Sequence, residues 1–170
     1  MRIKEIIRTI MNSDYDGSGA SCEFFEYGNI GIKTYSSEKI RDICFERQSA
    51  AADHMLAPKA FFKFTFKTKE RVWYCYATEL ATVLTDEDDI FHVFDIEDYM
   101  ATGNDTYIEN ALMTFKLDEL IEIKEQIEFL VDKLAEETGL DYCDCHTGNF
   151  GRLSCGTLVI IDFDTLSCNG

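Results

Sequence analysis

The longest regular pattern in the chain is a helix, and it largely dictates how the C-terminal half is built. From Leu117 to Thr138, the residues Leu120, Ile123, Ile127, Leu130, Val131 and Leu134 recur three and four apart and hold one face. Gly139 stands where that helix stops, because glycine accepts the left-handed backbone of a helix end without a Cβ penalty. The chain then runs straight into Asp141–Asp164, DYCDCHTGNFGRLSCGTLVIIDFD. Within it, Leu158-Val159-Ile160-Ile161 reads as a buried strand, and a strand delivers the side chain at its tip, Asp162, rigidly. Asp144 and Asn149 stand upstream on a tight loop. Two oxygen-bearing side chains on a loop and a third at a strand end form the donor set of a magnesium–phosphate site. Magnesium takes a few hard protein oxygens and completes its shell with phosphate and water.

Upstream the signals alternate between helix and strand. Ile3, Ile6, Ile7 and Ile10 put one apolar face on a helix over Met1–Met11. A breaker-rich stretch from Asn12 to Ser21 includes Gly17 and Gly19, whose backbone can come close to a ligand. The extended run Cys22–Tyr27, a Gly28-Asn29 turn and Ile30–Tyr35 read as a β-hairpin. Ser36 or Ser37 caps a helix to about Met55, with Ile40, Ile43, Cys44, Ala50 and Ala51 as its expected buried stripe. Pro58 helps to end it. Phe61–Lys67 alternates Phe62, Phe64 and Phe66 with Lys63, Thr65 and Lys67, as a half-buried strand should, and Arg71–Ala77 is a second strand. Hairpin, helix and two strands make a small β-rich lobe with one helix packed on it. The acidic run Asp86–Asp98 is expected as a solvated helix with one apolar face, the alternative being a docking surface for a basic partner. His92 within it is expected to be structural, and Ala101–Thr106 reads as a loop.

Charge and cysteine usage narrow the function classes. The formal net charge is -16, from 32 acidic and 16 basic residues. Phosphate-backbone binding rests on Lys and Arg, so nucleic acid is not an expected partner. An acidic nucleic-acid mimic is a less favoured reading, because its charge should lie in DNA-like rows and here much of it falls on ordinary helix faces. No apolar run approaches the roughly 20 residues that cross a bilayer, so no membrane association is expected. The N-terminal segment lacks the uninterrupted apolar centre of a signal peptide. Seven cysteines without framework spacing fit free thiols in a reducing compartment. The cytoplasm is therefore the expected location, a host's cytoplasm for a viral protein. Cys143, Cys145 and His146 invite a zinc reading. It is the less favoured one, because a one-residue gap points neighbouring side chains apart in extended chain.

The order of these parts resembles the protein kinase-like superfamily, which includes aminoglycoside phosphotransferases and small kinase-like proteins of bacteriophages. The resemblance runs roughly from Gly17 to Asp164 and is most specific in the last third. Asp144-Cys145-His146-Thr147-Gly148-Asn149 is similar to that family's D-x-H-x-G-N catalytic loop, and Leu158–Asp164 to its metal-binding strand end. Gly17-Ser18-Gly19 resembles the nucleotide-covering loop, and Gly31-Ile32-Lys33 the strand that bears the phosphate-binding lysine. Glu46 stands where that lysine's partner would be. Thr78-Glu79-Leu80 falls where the hinge would hold adenine through its backbone.

The resemblance implies an α+β, two-lobed protein kinase-like fold. Residues 1–77 would form the small β-rich nucleotide-binding lobe with one helix, and residues 78–170 the hinge and a truncated helical lobe. It further implies a kinase, a phosphotransferase that uses ATP and Mg and passes a γ-phosphoryl group to a protein or small-molecule hydroxyl, a host protein among the candidates. Asp144 would be catalytic, orienting the acceptor hydroxyl and taking its proton. Lys33, Glu46, Gly17, Gly19 and Glu79 would bind ATP, Asn149 and Asp162 would hold the metal, and His146 and Gly148 would shape the loop. Several positions depart from the family pattern. Tyr142 stands where histidine is usual, Cys22 replaces the third loop glycine, and Asp162-Phe163-Asp164 replaces Asp-Phe-Gly. Because the sequence ends at Gly170, the substrate side of the cleft is expected to be missing, open or supplied by a partner. The alternative expectation is a kinase-like binding protein or pseudokinase that acts on a host protein through its acidic surface.

Overall fold

The strand patterns on either side of Gly28-Asn29 pair as a hairpin. Strand β1 (Cys22–Tyr27) runs antiparallel to β2 (Ile30–Tyr35), with Tyr27 opposite Ile30 and Cys22 opposite Tyr35. Strands β3 (Ala60–Lys67) and β4 (Val72–Glu79) complete a four-stranded antiparallel sheet in the order β1-β2-β4-β3. The computed structural model describes residues 3–12 and 22–164, so Gly17 and Gly19 lie outside the described residues.

Both faces of this sheet are covered, which is why every residue of β2 is buried. On one face Phe25, Ile32, Phe64, Cys75 and Ala77 enclose Ile6 and Ile10 of helix α1 (Ile3–Asn12). On the other, Tyr35 and Tyr76 meet helix α2 (Glu38–Asp53). Helix α1 thus joins α2 on the lobe, because its isoleucine stripe and the second apolar sheet face bury one another.

Ser37 caps α2, its hydroxyl accepting the Ile40 N–H at 3.5 Å. The buried face of α2 differs from the expected stripe. Cys44 and Ala51 point inward together with Arg41 and Gln48, whereas Ile40, Ile43 and Ala50 are exposed. Polar partners contributed by distant strands decide this. The Arg41 guanidinium donates to the Phe64 carbonyl at 3.3 Å and to Thr65 Oγ1 at 3.2 Å, and pairs with Glu38 and Asp42.

Beyond β4 the chain enters a three-stranded antiparallel sheet of β5 (Thr82–Val83), β6 (Phe150–Arg152) and β7 (Leu158–Ile160). Helix α5 (Leu117–Thr138) has the expected bounds and buries Leu120, Ile123, Ile127, Leu130 and Leu134. Gly139 ends it with φ 70°. Helix α5 packs against α2 and β7, so residues of both lobes, among them Tyr76, Leu120, Ile127 and Phe163, share one core. The α+β, two-lobed arrangement expected of the sequence is the one the chain adopts.

Residues Asp86–Asp98 do not form the single helix expected of them. Glu87–Asp89 makes a 3-10 turn, Ile90–His92 runs extended, and helix α3 (Asp95–Thr102) begins only after a turn at Val93 and Phe94. The extended segment is held by backbone bonds to a loop far along the chain. The Thr147 N–H donates to the Phe91 carbonyl at 2.9 Å and the Val93 N–H to the Cys145 carbonyl at 3.1 Å. A helix here would forfeit those bonds and expose the buried Phe91 and Val93. The expected loop Ala101–Thr106 is shorter, since α3 continues through Thr102 and helix α4 (Thr106–Ala111) starts at Thr106. Asp105 is the cap of α4, accepting the N–H groups of Tyr107 and Ile108 at 3.0 Å. No helix of the described residues is long and apolar enough to cross a membrane.

Candidate functional site

The loop carrying Asp144 is set by its buried member, Thr147. Its hydroxyl lies 2.7 Å from Thr85 Oγ1 and accepts the Phe91 N–H at 3.2 Å, while its own N–H is bound to Phe91. The neighbouring His146 bridges His92 as an isolated antiparallel pair, with ring centroids 5.4 Å apart. Held in this way, the loop turns through Thr147–Asn149 as a short 3-10 segment. Gly148 is required there for space and not for an unusual backbone, because its φ is not positive. A Cβ at Gly148 would lie 3.0 Å from His146 Nδ1 and 3.1 Å from Ile90 Cδ1.

Asn149 then folds back on the loop, its Nδ2 donating to the Asp144 carbonyl at 2.9 Å. That bond commits the amide nitrogen and leaves the amide oxygen to face elsewhere. The Asn149 carbonyl accepts the Ile161 N–H at 2.9 Å, tying the loop to the end of β7. Asp162 follows directly, its Oδ1 accepting the Asp164 N–H at 2.9 Å. The Asp144 carboxylate is part-exposed, with Oδ2 3.7 Å from His146 Nε2.

Lys33 approaches from the other lobe. Strand alternation places it on the α2 side of β2, where it is buried and its Nζ donates to the Ile161 carbonyl. Burial pulls its ammonium toward the neutral form. Tyr76, Cys22, Asp162 and Asp164 oppose that, and the balance keeps the group charged above the usual lysine range. Lys33, Glu79, Gly148, Asn149 and Asp162 line one cavity of about 250 Å³ between the two sheets. Cys22 lines it as well, and burial pushes its thiol up to about 11, so it is a poor nucleophile there.

One expected position is placed differently. Glu46 lies on the exposed face of α2. Residues two apart on a helix point about 200° apart, so a helix that turns Cys44 and Gln48 inward must turn Glu46 out. What faces the site from α2 is the Cys44 thiol, which donates to Asp164 Oδ1 at 2.8 Å, and the Gln48 amide. At the hinge, Glu79 does line the cavity, but its N–H donates to the Lys59 carbonyl at 2.8 Å. Its backbone N–H is therefore already engaged and does not face a ligand.

Gln48, Thr147, Cys44 and Asp164 carry weight that no motif announced. Gln48 stands between Arg47 and Ser49, and Thr147 between His146 and Gly148, so neither carried a local signal that pointed to a partner. Cys143 is exposed and Cys145 half-buried. Among the described residues, no group of three or more His, Cys, Asp or Glu is arranged to hold a metal ion.

His146 gives the site a pH signature. Burial drives its imidazole below the usual 6.5, opposed by Asp144, with His92 adding to the lowering and Asp162 opposing it. Its Nδ1 and that of His92 are buried without a hydrogen-bond partner. The unfolded chain therefore binds a proton more readily than the folded one, and folding stability falls as pH drops through about 6.5 and below. In urea titrations at pH 7.5, 6.5 and 5.5, the wild type should lose more stability on acidification than His146→Gln. Equal losses would show that His146 does not titrate in this way.

No protein-family model and no curated protein matches this sequence. Among solved structures, choline kinase LicA from Streptococcus pneumoniae is similar, at 16% identity and a TM-score of 0.37, over 97% of this chain and 68% of that one.

Proposed function

We propose that the cleft binds ATP with magnesium and that the chain transfers the terminal phosphoryl group to a hydroxyl of a protein or small molecule. The observation that supports this most directly is the meeting of Lys33, Asn149 and Asp162 around one cavity, with Asn149 anchored to the backbone of Asp144. Residues 1–77 would hold the nucleotide, and residues 78–170 the hinge, the loop and the metal-binding strand end.

The donor set fits magnesium. The Asn149 amide oxygen and the Asp162 carboxylate are both hard oxygens, and each side chain is oriented by a hydrogen bond through its other polar atom. Bound magnesium would supply neutralisation of phosphate charge. Lys33, charged and held at the Ile161 carbonyl, would add a fixed cation beside Asp162. Asp144 would accept the proton of the incoming hydroxyl, and His146 beside it would limit where that carboxylate can swing. Phosphoryl transfer asks mainly for such positioning and charge placement, with little covalent work from the protein.

The test is a thermal melt with ATP and magnesium together and separately, followed by incubation with γ-labelled ATP. A ligand at about a hundred times its Kd stabilises by about 2.7 kcal/mol. For a chain of this size that raises Tm by roughly 5–10 °C. Lys33→Met and Asp162→Asn should each remove most of the rise, the second only when magnesium is present. No rise at millimolar ATP and magnesium would sink the nucleotide reading and leave the binding-protein alternative.

A further inference from the structure

On the far side of the Asp144 loop lies a separate cavity of about 380 Å³, lined by His92, Phe94, Asp95, Tyr107 and His146 among others. It sits where the 3-10 turn Glu87–Asp89, α3 and α4 pack together. Two of the side chains that wall it are large, apolar and exposed. Phe94 is 53% exposed and Tyr107 63%. Grouped exposed side chains of this size mark interaction surfaces more often than accidents of composition.

The charge carried by the turn, α3 and α4 has one sign. Between Arg71 and Lys116 the chain has ten acidic residues and no lysine or arginine. The fold gathers most of them here. Asp86, Glu87 and Asp88 are exposed on the turn, Glu97 and Asp98 on α3, and Glu109 on α4. Lys124 of α5 pairs with Glu97 at 3.1 Å. Asp95 is buried and spends an oxygen on the His92 N–H at 2.8 Å, so the cavity floor is already satisfied.

From these observations we infer that this face docks a basic protein segment, its lysines and arginines on the carboxylate rim and one large apolar side chain seated between Phe94 and Tyr107. An aromatic-walled pocket gives an apolar anchor its place, and a one-signed rim selects the partner and speeds its approach. Nucleic acid and anionic lipid are repelled by the same rim. A second copy of this chain would present the same acidic face to it. The surface stands whether or not the cleft transfers phosphoryl groups, although His146 connects the two by contributing to both.

The experiment is an oriented peptide library applied to the full chain without nucleotide. Selected peptides are then measured by fluorescence anisotropy at low and high salt. The expected selection is for lysine or arginine together with one phenylalanine, tyrosine or leucine. Changing that anchor to alanine in the peptide, or making Phe94→Ala with Tyr107→Ala in the protein, should each weaken binding by at least about tenfold. Both protein positions are solvent-facing, and an unchanged melting curve for the double variant confirms that it folds. Raising the salt should weaken binding further. Three results would overturn the inference: no enrichment of basic residues, enrichment that is indifferent to the anchor and to the double variant, or equal displacement by free spermidine with and without the aromatic pair. A concentration-dependent dimer lost on Tyr107→Ala would assign the face to a second copy and overturn it as well.

Discussion

Replacing Asp144 by asparagine is expected to leave stabilisation by ATP and magnesium within about 1 °C of wild type while lowering phosphoryl transfer by roughly 10²–10⁴-fold, the usual contribution of a general base. The geometry separates the two effects. Asn149 is held by the backbone carbonyl of Asp144 and not by its carboxylate, so an amide of the same shape leaves that anchor in place. The contact to His146 is 3.7 Å, long enough that its loss costs the loop little. What asparagine removes is the capacity to take a proton. The readout is the loss of label from γ-labelled ATP, to protein or to water, beside a thermal melt with and without ligand. Undiminished turnover would take Asp144 out of the role. A lost thermal shift would mean instead that the loop itself had collapsed.

Gln48→Leu is the substitution with the largest expected effect on stability. Gln48 is 0% exposed, and both ends of its amide are used. Nε2 donates to the Pro58 carbonyl at 2.8 Å and to Thr78 Oγ1 at 2.6 Å, and Oε1 accepts from the Tyr76 hydroxyl at 2.8 Å. Leucine conserves the volume but leaves the groups of Pro58, Thr78 and Tyr76 with fewer partners in a buried space. An unsatisfied buried polar group costs about 1–3 kcal/mol. Thr78 and Tyr76 keep weaker contacts, to the Lys59 carbonyl at 3.3 Å and to the Tyr35 hydroxyl at 3.4 Å, so the whole change should cost about 3–5 kcal/mol. That corresponds to a fall in Tm of roughly 6–20 °C. Glu46→Ala, on the outer face of the same helix, should stay within about 0.5 kcal/mol. Urea denaturation of the two variants side by side decides the matter. A Glu46→Ala protein damaged as badly as Gln48→Leu would contradict the orientation of α2.

These two glutamic-type positions show where sequence stops being informative. Glu46 is conspicuous because an acid on that helix suits a buried lysine, and Gln48 is inconspicuous because nothing near it in sequence needs an amide. Its three partners come from the loop after α2 and from β4, and α2 rotates to meet them. The same holds for Arg41, which displaces Ile40 and Ile43 from the inner face through contacts on β3. Acidic patterning likewise led to a helix over Asp86–Asp98. The backbone there is drawn instead into pairing with Cys145 and Thr147, a bond across more than fifty residues that local propensity cannot register.

What the sequence determined by itself was everything that depends on near neighbours along the chain. That includes the span and stop of α5, the β1–β2 hairpin, the alternation of Phe62, Phe64 and Phe66, and the order in which Lys33, Asp144, Asn149 and Asp162 appear. Period, turn chemistry and capping act within a few residues, so they can be read in one dimension. Only the tertiary structure decided which way α2 faces, which groups meet Lys33, and that Thr147 holds the loop while the acidic turn and helices gather round an aromatic cavity. Those outcomes are settled by hydrogen bonds and burial between residues that are distant in sequence, where each buried polar group must find a partner wherever the fold provides one.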